Sequence, residues 1–198
     1  LLAILIYAGI VYATGEKYVP FTEAKMGMTY SGEARKAGFH NGDIPLKADG
    51  KTLDHPGEAL MQMTQAKVVT VLRDGKEVNI RIPEKFIFAL DNEAKSDTAT
   101  FSFMTYRIPA RISQVVTGEG AAKAGIEVGD EIIAIDSIST PTLDSFMATL
   151  PGHDDKNVAI TLVRRNGEAL DTLTKSVHLN SGSKMGIGLV VDPSEFYK

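Results

Sequence analysis

The stretch AGIEVGDEIIAID at Ala124–Asp136 has a counterpart 87 residues earlier in the chain, AGFHNGDIPLKAD at Ala37–Asp49. The two stretches share identical residues at the pairs Ala37/Ala124, Gly38/Gly125, Gly42/Gly129, Asp43/Asp130 and Asp49/Asp136. A constant offset over such a pattern is typical of an internal repeat. At 198 residues, the chain can hold two copies of a module near the lower end of ordinary domain length. We therefore expect two modules built on one plan.

Composition restricts the class of protein. With 43% apolar and 23% charged residues, the chain has the balance of an ordinary globular protein. Its net charge of -4 argues against a broad phosphate-binding surface, so no nucleic-acid partner is expected. The chain has no cysteine, which excludes disulfides, thiolate nucleophiles and sulfur-ligated zinc or iron.

Local patterns predict a mainly β structure with short helices in both copies. In the first copy, Met26–Tyr30 reads as a strand and Pro56–Gln65 as a helix with apolar residues at helical spacing. The polar stretch Asp91–Thr98 has no apolar periodicity and predicts a surface loop near the module boundary. The second copy repeats the order, with a helix at Thr142–Leu150, strands at Val158–Val163 and Ala169–Thr174, and a turn at Arg164–Gly167 between these strands.

The string A-x-K-A-G-x-x-x-G-D-x-x-x-x-x-D, followed by a helix and a hairpin, resembles the bacterial type of PDZ domain. That resemblance implies two tandem PDZ-like β-sandwich modules, over residues 21–108 and 109–192, in a circularly rearranged order. In this order the strand that bears the carboxylate-binding loop comes last. Candidates for the last strand are Ser102–Thr105, before Pro109, and Gly186–Leu189, before Pro193.

A PDZ-like site binds an extended peptide as an additional strand, while backbone N–H groups of a tight loop bind its terminal carboxylate. Glycine allows several N–H groups to converge on one anion, which favours the loop of the second module. The peptide-binding candidates that the resemblance implies are Met185, Gly186, Ile187, Gly188, Leu189, Phe146 and Leu150 in the second module, and Ser102, Phe103, Met104 and Thr105 in the first. The first module departs from the pattern, because Phe103 and Met104 stand where glycines are expected. The alternative is that these apolar residues only pack a core beside an unused groove.

No catalytic constellation or metal site is predicted within this chain. The repeated Asp43 and Asp130 each follow a glycine at a predicted turn, where a short carboxylate binds local backbone N–H groups. The four histidines are scattered and form no HExxH zinc motif. A G-x-S-x-G nucleophile motif is also absent from the sequence.

The first fifteen residues, Leu1–Gly15, carry no charge and are almost wholly apolar. As a helix they would rise about 22 Å against a hydrocarbon core of roughly 30 Å, so they match the end of a transmembrane helix rather than a whole one. Two alternatives remain open at this point. Besides the end of a transmembrane helix, the segment could be the tail of a signal peptide cleaved after the Val11–Ala13 triplet, or a buried first helix.

An apolar segment leading into two PDZ-like modules resembles the bacterial site-2 intramembrane zinc metalloproteases, of the regulator-of-sigma-E protease type. The resemblance implies a location at the bacterial inner membrane with the modules in the periplasm. It also implies a parent zinc endopeptidase whose zinc is bound outside this chain, with no cofactor and no catalytic residue in the chain itself. The implied substrates are transmembrane proteins such as anti-sigma factors, with the modules acting as a size filter or peptide-binding region. The alternatives are a non-enzymatic periplasmic adaptor and the PDZ part of a secreted serine protease.

Overall fold

The computed structural model describes residues 18–95 and 103–197, which form β-sheets connected by short helices. This confirms the predicted secondary-structure class. The predicted membrane segment, 1–15, and Ser102 lie outside the described residues. Among the residues that are described, no helix has the length and apolar character needed to cross a bilayer. The chain divides into two compact units, of which the first runs to Thr105 and the second spans Tyr106–Phe196.

Within the described residues, the first unit combines a four-stranded sheet, a two-stranded pair, three α-helices and a short 3-10 helix at Phe21–Glu23. In chain order its elements are β1 (Met28–Tyr30), α1 (Gly32–Lys36), β2 (Ile44–Ala48), β3 (Lys51–Thr52), α2 (Pro56–Gln65), β4 (Val68–Arg73), β5 (Lys76–Arg81), α3 (Phe86–Ala94) and β6 (Met104–Tyr106). The larger sheet has the order β3-β2-β4-β5, and β1 pairs with β6.

Local chemistry explains most of these boundaries. The Ser31 side chain accepts a hydrogen bond from the Ala34 backbone N–H and caps α1. Helix α2 begins at a proline, whose fixed φ suits the first helical position, and it buries Ala59 and Met63. The two residues between β4 and β5, Asp74 and Gly75, both have positive φ, as a two-residue type I′ hairpin turn requires.

The core of the first unit contains a cluster of four aromatic rings. Tyr30 stacks on Phe39 at 4.8 Å between ring centroids. Phe103 meets Phe39 and Phe86 edge-on, at 5.5 and 5.6 Å. All four side chains are almost completely buried. Because Phe86 belongs to α3, this helix is part of the core of the unit.

Helix α3 corrects the prediction of a surface loop at Asp91–Thr98, since residues 91–94 form its last turn. Phe86 and Leu90, four residues apart, give the helix one buried face. The Glu93 carboxylate then accepts hydrogen bonds from the backbone N–H of Glu33, at 3.1 and 3.3 Å. The partner of Glu93 lies 60 residues earlier in the chain. The polar composition of Asp91–Thr98 alone therefore could not predict the helix.

The second unit is built around one sheet of six strands. Its elements are β7 (Ala110–Val115), α4 (Gly120–Lys123), β8 (Glu131–Ile135), β9 (Ile138–Ser139), α5 (Leu143–Thr149), β10 (Asn157–Asn166), β11 (Ala169–His178) and β12 (Ile187–Leu189). The sheet order is β11-β10-β8-β7-β12, with β9 paired to β8. A cluster of buried residues from these strands and α5 forms the core.

The predicted turn at Arg164–Gly167 is too early by two residues. Strand β10 continues through Asn166, which pairs with Ala169 across a turn at Gly167 and Glu168. The pattern misplaced the turn because the charged pair Arg164–Arg165 looks like loop sequence. Arg164 instead belongs to the strand and binds a buried carboxylate described below.

Elements follow the same order in both units, from β1 to β6 in the first and from β7 to β12 in the second. The connection before the last strand differs between them. Helix α3 lies in this connection in the first unit, whereas residues 179–186 of the second unit form a loop.

Candidate functional site

Strand β12 lies at the edge of the second unit's sheet, and within the described residues it pairs only with β7. The antiparallel register places Ile187 opposite Val115 and Gly188 opposite Gln114. The register then shifts, so that Leu189 lies opposite Ile112. This is the strand that the sequence identified as the last of its module.

Hydrogen bonds at the two ends of β12 show which backbone groups face the open edge. The Gly186 carbonyl accepts from Val116 N–H at 2.8 Å, and Val190 N–H donates to the Arg111 carbonyl at 2.9 Å. Hydrogen-bonded and non-bonded pairs alternate along an antiparallel ladder. Ile187 and Leu189 therefore occupy non-bonded positions, and their N–H and C=O groups point away from β7. An extended segment could pair with these groups as a further strand.

Close packing requires glycine in the loop before β12. Gly186 has a φ of +80°, and a Cβ at this position would lie 2.2 Å from the Cβ of Glu119. The neighbouring Met185 carbonyl accepts a hydrogen bond from Ala121 N–H of α4, at 2.9 Å. A Cβ on Gly188 would lie 3.2 Å from both Gln114 Cβ and Ser113 Oγ. Both predicted glycines thus allow the loop and strand to approach α4 and β7 closely.

The predicted apolar residues fall into two groups. Phe146 and Met185 are almost completely buried within the core cluster. Their side chains therefore pack in the core and do not line the surface of the site. Leu150, Ile187 and Leu189 pack against the same cluster and are only half-buried. All three side chains remain partly accessible: Ile187 and Leu189 lie on β12, and Leu150 is the C-cap residue of α5.

Sequence reasoning missed two further apolar residues on α5. Leu143, Met147 and Leu150 are spaced i, i+4 and i+7, which places them along one face of the helix. Leu143 is half-buried, and Met147 is 53% exposed. The spacing in LDSFMATL was the available signal, but it also includes Phe146 at i+3, and only the burial of Phe146 in the structure separates this side chain from the accessible ones.

The first unit does not reproduce this arrangement. Phe103 is buried in the aromatic cluster, while the half-buried Met104 and the exposed Thr105 lie on β6. Instead of a glycine loop, the Glu93 side chain of α3 reaches the start of α1. Burial acts to raise the pKa of Glu93, but hydrogen bonds from Ser31 and from the Glu33 and Gly32 backbone hold it below its usual value. The N–H of Glu33 is therefore already bound within the unit.

Asp43 and Asp130 accept local backbone N–H groups, which confirms the structural role predicted for them. Asp43 accepts from His40 N–H at 2.8 Å, and Asp130 accepts from Glu127 N–H at 2.9 Å. Their arginine partners were not predicted: Arg73 binds Asp43, and Arg164 binds Asp130. In the part of the chain that the structure describes, no group of histidine, aspartate and glutamate side chains could hold a metal ion.

Residues 111–164 match the family model of the PDZ domain. The match runs from β7 into β10 and includes Asp130 and Arg164, but it ends before β11 and β12. Comparison with curated proteins gave no match. A PDZ domain in the second unit is thereby confirmed, and it indicates a peptide-binding or adaptor module. The PDZ character of the first unit stays a prediction.

Proposed function

We propose that the second unit binds an extended segment of a partner protein along the edge of β12. The observation that carries this proposal is the outward-facing backbone of Ile187 and Leu189 in a unit that contains a PDZ domain. An added strand would form main-chain hydrogen bonds with these residues. Leu150, Met147 and Leu189 would provide apolar contacts, and the Gly186 loop would receive a terminal carboxylate.

Fluorescence anisotropy with labelled peptides that end in apolar residues tests this binding mode. The peptide with a free carboxylate should bind more tightly than the same peptide with a C-terminal amide. N-methylation at alternate peptide residues, those that face β12, should abolish binding, whereas methylation of the intervening residues should not. Equal binding of the acid and the amide, with no effect of N-methylation at any position, would overturn the proposal.

We further propose that the two units form the regulatory periplasmic region of a site-2 type zinc endopeptidase in the bacterial inner membrane. The proposal is supported by the apolar sequence Leu1–Gly15, by the internal repeat and by the PDZ domain. Zinc and the catalytic residues would be supplied by parts of the parent protein outside this chain. The substrates would be transmembrane proteins such as anti-sigma factors after their periplasmic parts have been trimmed.

In this role the two units act as a steric filter that excludes bulky ectodomains and admits short stubs. Deletion of Ser31–Val191 from the parent protein should then permit cleavage of untrimmed substrates, as measured by immunoblot of the regulator in cells. Intact regulators after this deletion would contradict the filter. A parent with an inactivated HExxH motif is the matched control for cleavage by other proteases.

A non-enzymatic periplasmic adaptor is the second candidate, and the PDZ domain favours it equally. The two functions differ in their response to Gly188→Leu, because this substitution crowds β12 against Gln114 and Ser113. An adaptor should lose peptide binding and function together, whereas a steric filter should retain its size selection. An HExxH motif in an apolar helix upstream would favour the protease, and its absence the adaptor.

A further inference from the structure

The exposed large apolar side chains of the first unit are confined to three places in the described chain. They lie on the segment before the first strand, on α2 and on α3, and they are Tyr18, Leu60, Met61, Ile87 and Phe88. Met61 and Phe88 are 65% and 66% exposed. Single exposed apolar residues are common on protein surfaces, but here each helix presents two in succession. In the second unit the corresponding residues are spread over two strands, one helix and several loops: Val116, Val128, Ile138, Met147, Leu170 and Val191.

Contacts within the unit connect these three places. The Tyr18 ring packs against the His55 ring, with 4.5 Å between centroids. His55 is the N-cap residue of α2, so Tyr18 lies at the beginning of that helix. Helices α2 and α3 also contact each other. We name these five side chains, Tyr18 and the exposed residues Leu60, Met61, Ile87 and Phe88 of the two contacting helices, the helical apolar face.

We infer that the helical apolar face rests on the lipid–water interface of the membrane that holds the chain. The inference rests on the proposed membrane anchorage of Leu1–Gly15. Only two residues separate Gly15 from Tyr18, so an extended chain keeps Tyr18 within about 11 Å of the end of the apolar sequence. Tyrosine is enriched at this level of the bilayer, because its ring is apolar and its hydroxyl is polar.

Distances along α2 agree with this placement. Leu60 and Met61 lie about one turn beyond the helix start, which is roughly 6–8 Å along its axis. Because the N-cap residue of α2, His55, contacts Tyr18, the apolar pair on α2 comes within reach of the same interface. Contact with lipid would remove these side chains from water, and would fix the orientation of the first unit relative to the bilayer.

Charges near the helical apolar face indicate apolar insertion as the mode of lipid binding. The segments around it carry both signs, with Lys85 beside Glu84 and Asp91 paired with Lys95. In these described segments the basic side chains have acidic neighbours and do not form the basic cluster that recognises anionic headgroups. The contact should therefore form on zwitterionic lipid and should be insensitive to added anionic lipid.

Site-specific fluorescence on the full chain in phosphatidylcholine vesicles tests the inference. The chain has no cysteine, so Met61→Cys and Phe88→Cys each introduce a single labelling site for an environment-sensitive fluorophore. Matched controls are Val128→Cys and Leu170→Cys in the second unit, at positions 64% and 59% exposed. Vesicles containing lipid with a nitroxide near the headgroup should quench and blue-shift the labels at 61 and 88, and leave those at 128 and 170 unchanged.

Vesicle flotation separates the inference from the anchorage on which it rests. If the chain fails to float with vesicles, both are overturned. If it floats but lipid nitroxides quench positions 61 and 88 no more than the controls, only the inference is overturned. A blue shift without lipid quenching would also overturn it, and would identify a protein–protein contact at the face.

Discussion

Arg164 binds both carboxylate oxygens of Asp130, through Nε and Nη2 at 2.8 Å each. Its Nη2 also donates to the Gly125 carbonyl at 2.9 Å. In the first unit, Arg73 makes the same three contacts with Asp43 and Gly38. Each arginine thus ties the turn after a short helix to a long strand. The hydrogen bond to Asp130 also raises the pKa of Arg164 above its usual value, so the guanidinium remains charged.

Substitution of Asp130 should strongly destabilise the second unit. The aspartate is 1% exposed, and Asp130→Ala removes its two hydrogen bonds to Arg164 and leaves the Glu127 N–H without its acceptor. Arg164 keeps Glu127 and the Gly125 carbonyl as partners, so the free energy of unfolding should fall by about 3 kcal/mol. Urea unfolding followed by circular dichroism measures this loss. Lys47→Ala is the control, because it breaks the exposed Lys47–Glu77 pair and should cost less than about 1 kcal/mol. Equal effects of the two substitutions would contradict the role assigned to the buried pair.

Gly186→Ala and Gly118→Ala separate backbone strain from steric collision. Both glycines have positive φ, but only Gly186 has a neighbouring side-chain atom where a Cβ would lie. Gly118→Ala should cost about 1–2 kcal/mol from the left-handed conformation alone. Gly186→Ala should reduce the free energy of unfolding by more than this, because the Glu119 side chain must move to make room for the new Cβ. The displaced loop should then no longer bind the peptide carboxylate. Comparable urea midpoints for the two variants would argue against the observed packing of the loop.

The stripe on α5 predicts a role for Met147 in binding apolar peptides. Met147→Glu replaces an exposed apolar side chain with a charged one. The fold should persist, while peptide affinity should fall about tenfold, equivalent to about 1.4 kcal/mol. Leu170→Glu, at an exposed position on β11, provides the control and should bind peptide as the unsubstituted chain does. Anisotropy titrations of both variants measure the difference, and an unchanged affinity for Met147→Glu would place the peptide elsewhere.

Glu93 predicts a loss of stability of the first unit in acid. Its pKa is lower in the folded chain than its usual value, which is about 4.3 when unfolded. The ionised carboxylate therefore stabilises the fold above that value, and its contribution disappears as the pH falls through the folded pKa. Glu93→Gln should lower stability at neutral pH and flatten the acid dependence of the urea midpoint.

Asp91→Asn is the control for this pH dependence, since Asp91 forms only an exposed pair with Lys95 among its described contacts. It should keep the acid dependence of the unsubstituted chain. A Glu93→Gln variant with the same pH profile as the unsubstituted chain would show that the contact between α3 and α1 does not depend on charge.

Features with local causes could be predicted from the sequence. Helix α2 has the predicted bounds, because a proline begins it and its buried residues follow helical spacing. Helix α3 could not be predicted, since its stability depends on Phe86 and Glu93 finding partners in distant segments. The candidate site was predicted in part: β12 was identified, but composition alone could not separate Phe146, in the core, from Met147, on the surface.

The two Asp–Arg pairs span 30 and 34 residues of sequence. The connection between helix and strand is correspondingly longer in the second unit, at 150–156 against 66–67 in the first. Chain length at this point varies while the arginine still reaches its aspartate. An engineer seeking to graft a reporter peptide into either unit would therefore choose this connection, because each fold already accommodates a different number of residues there.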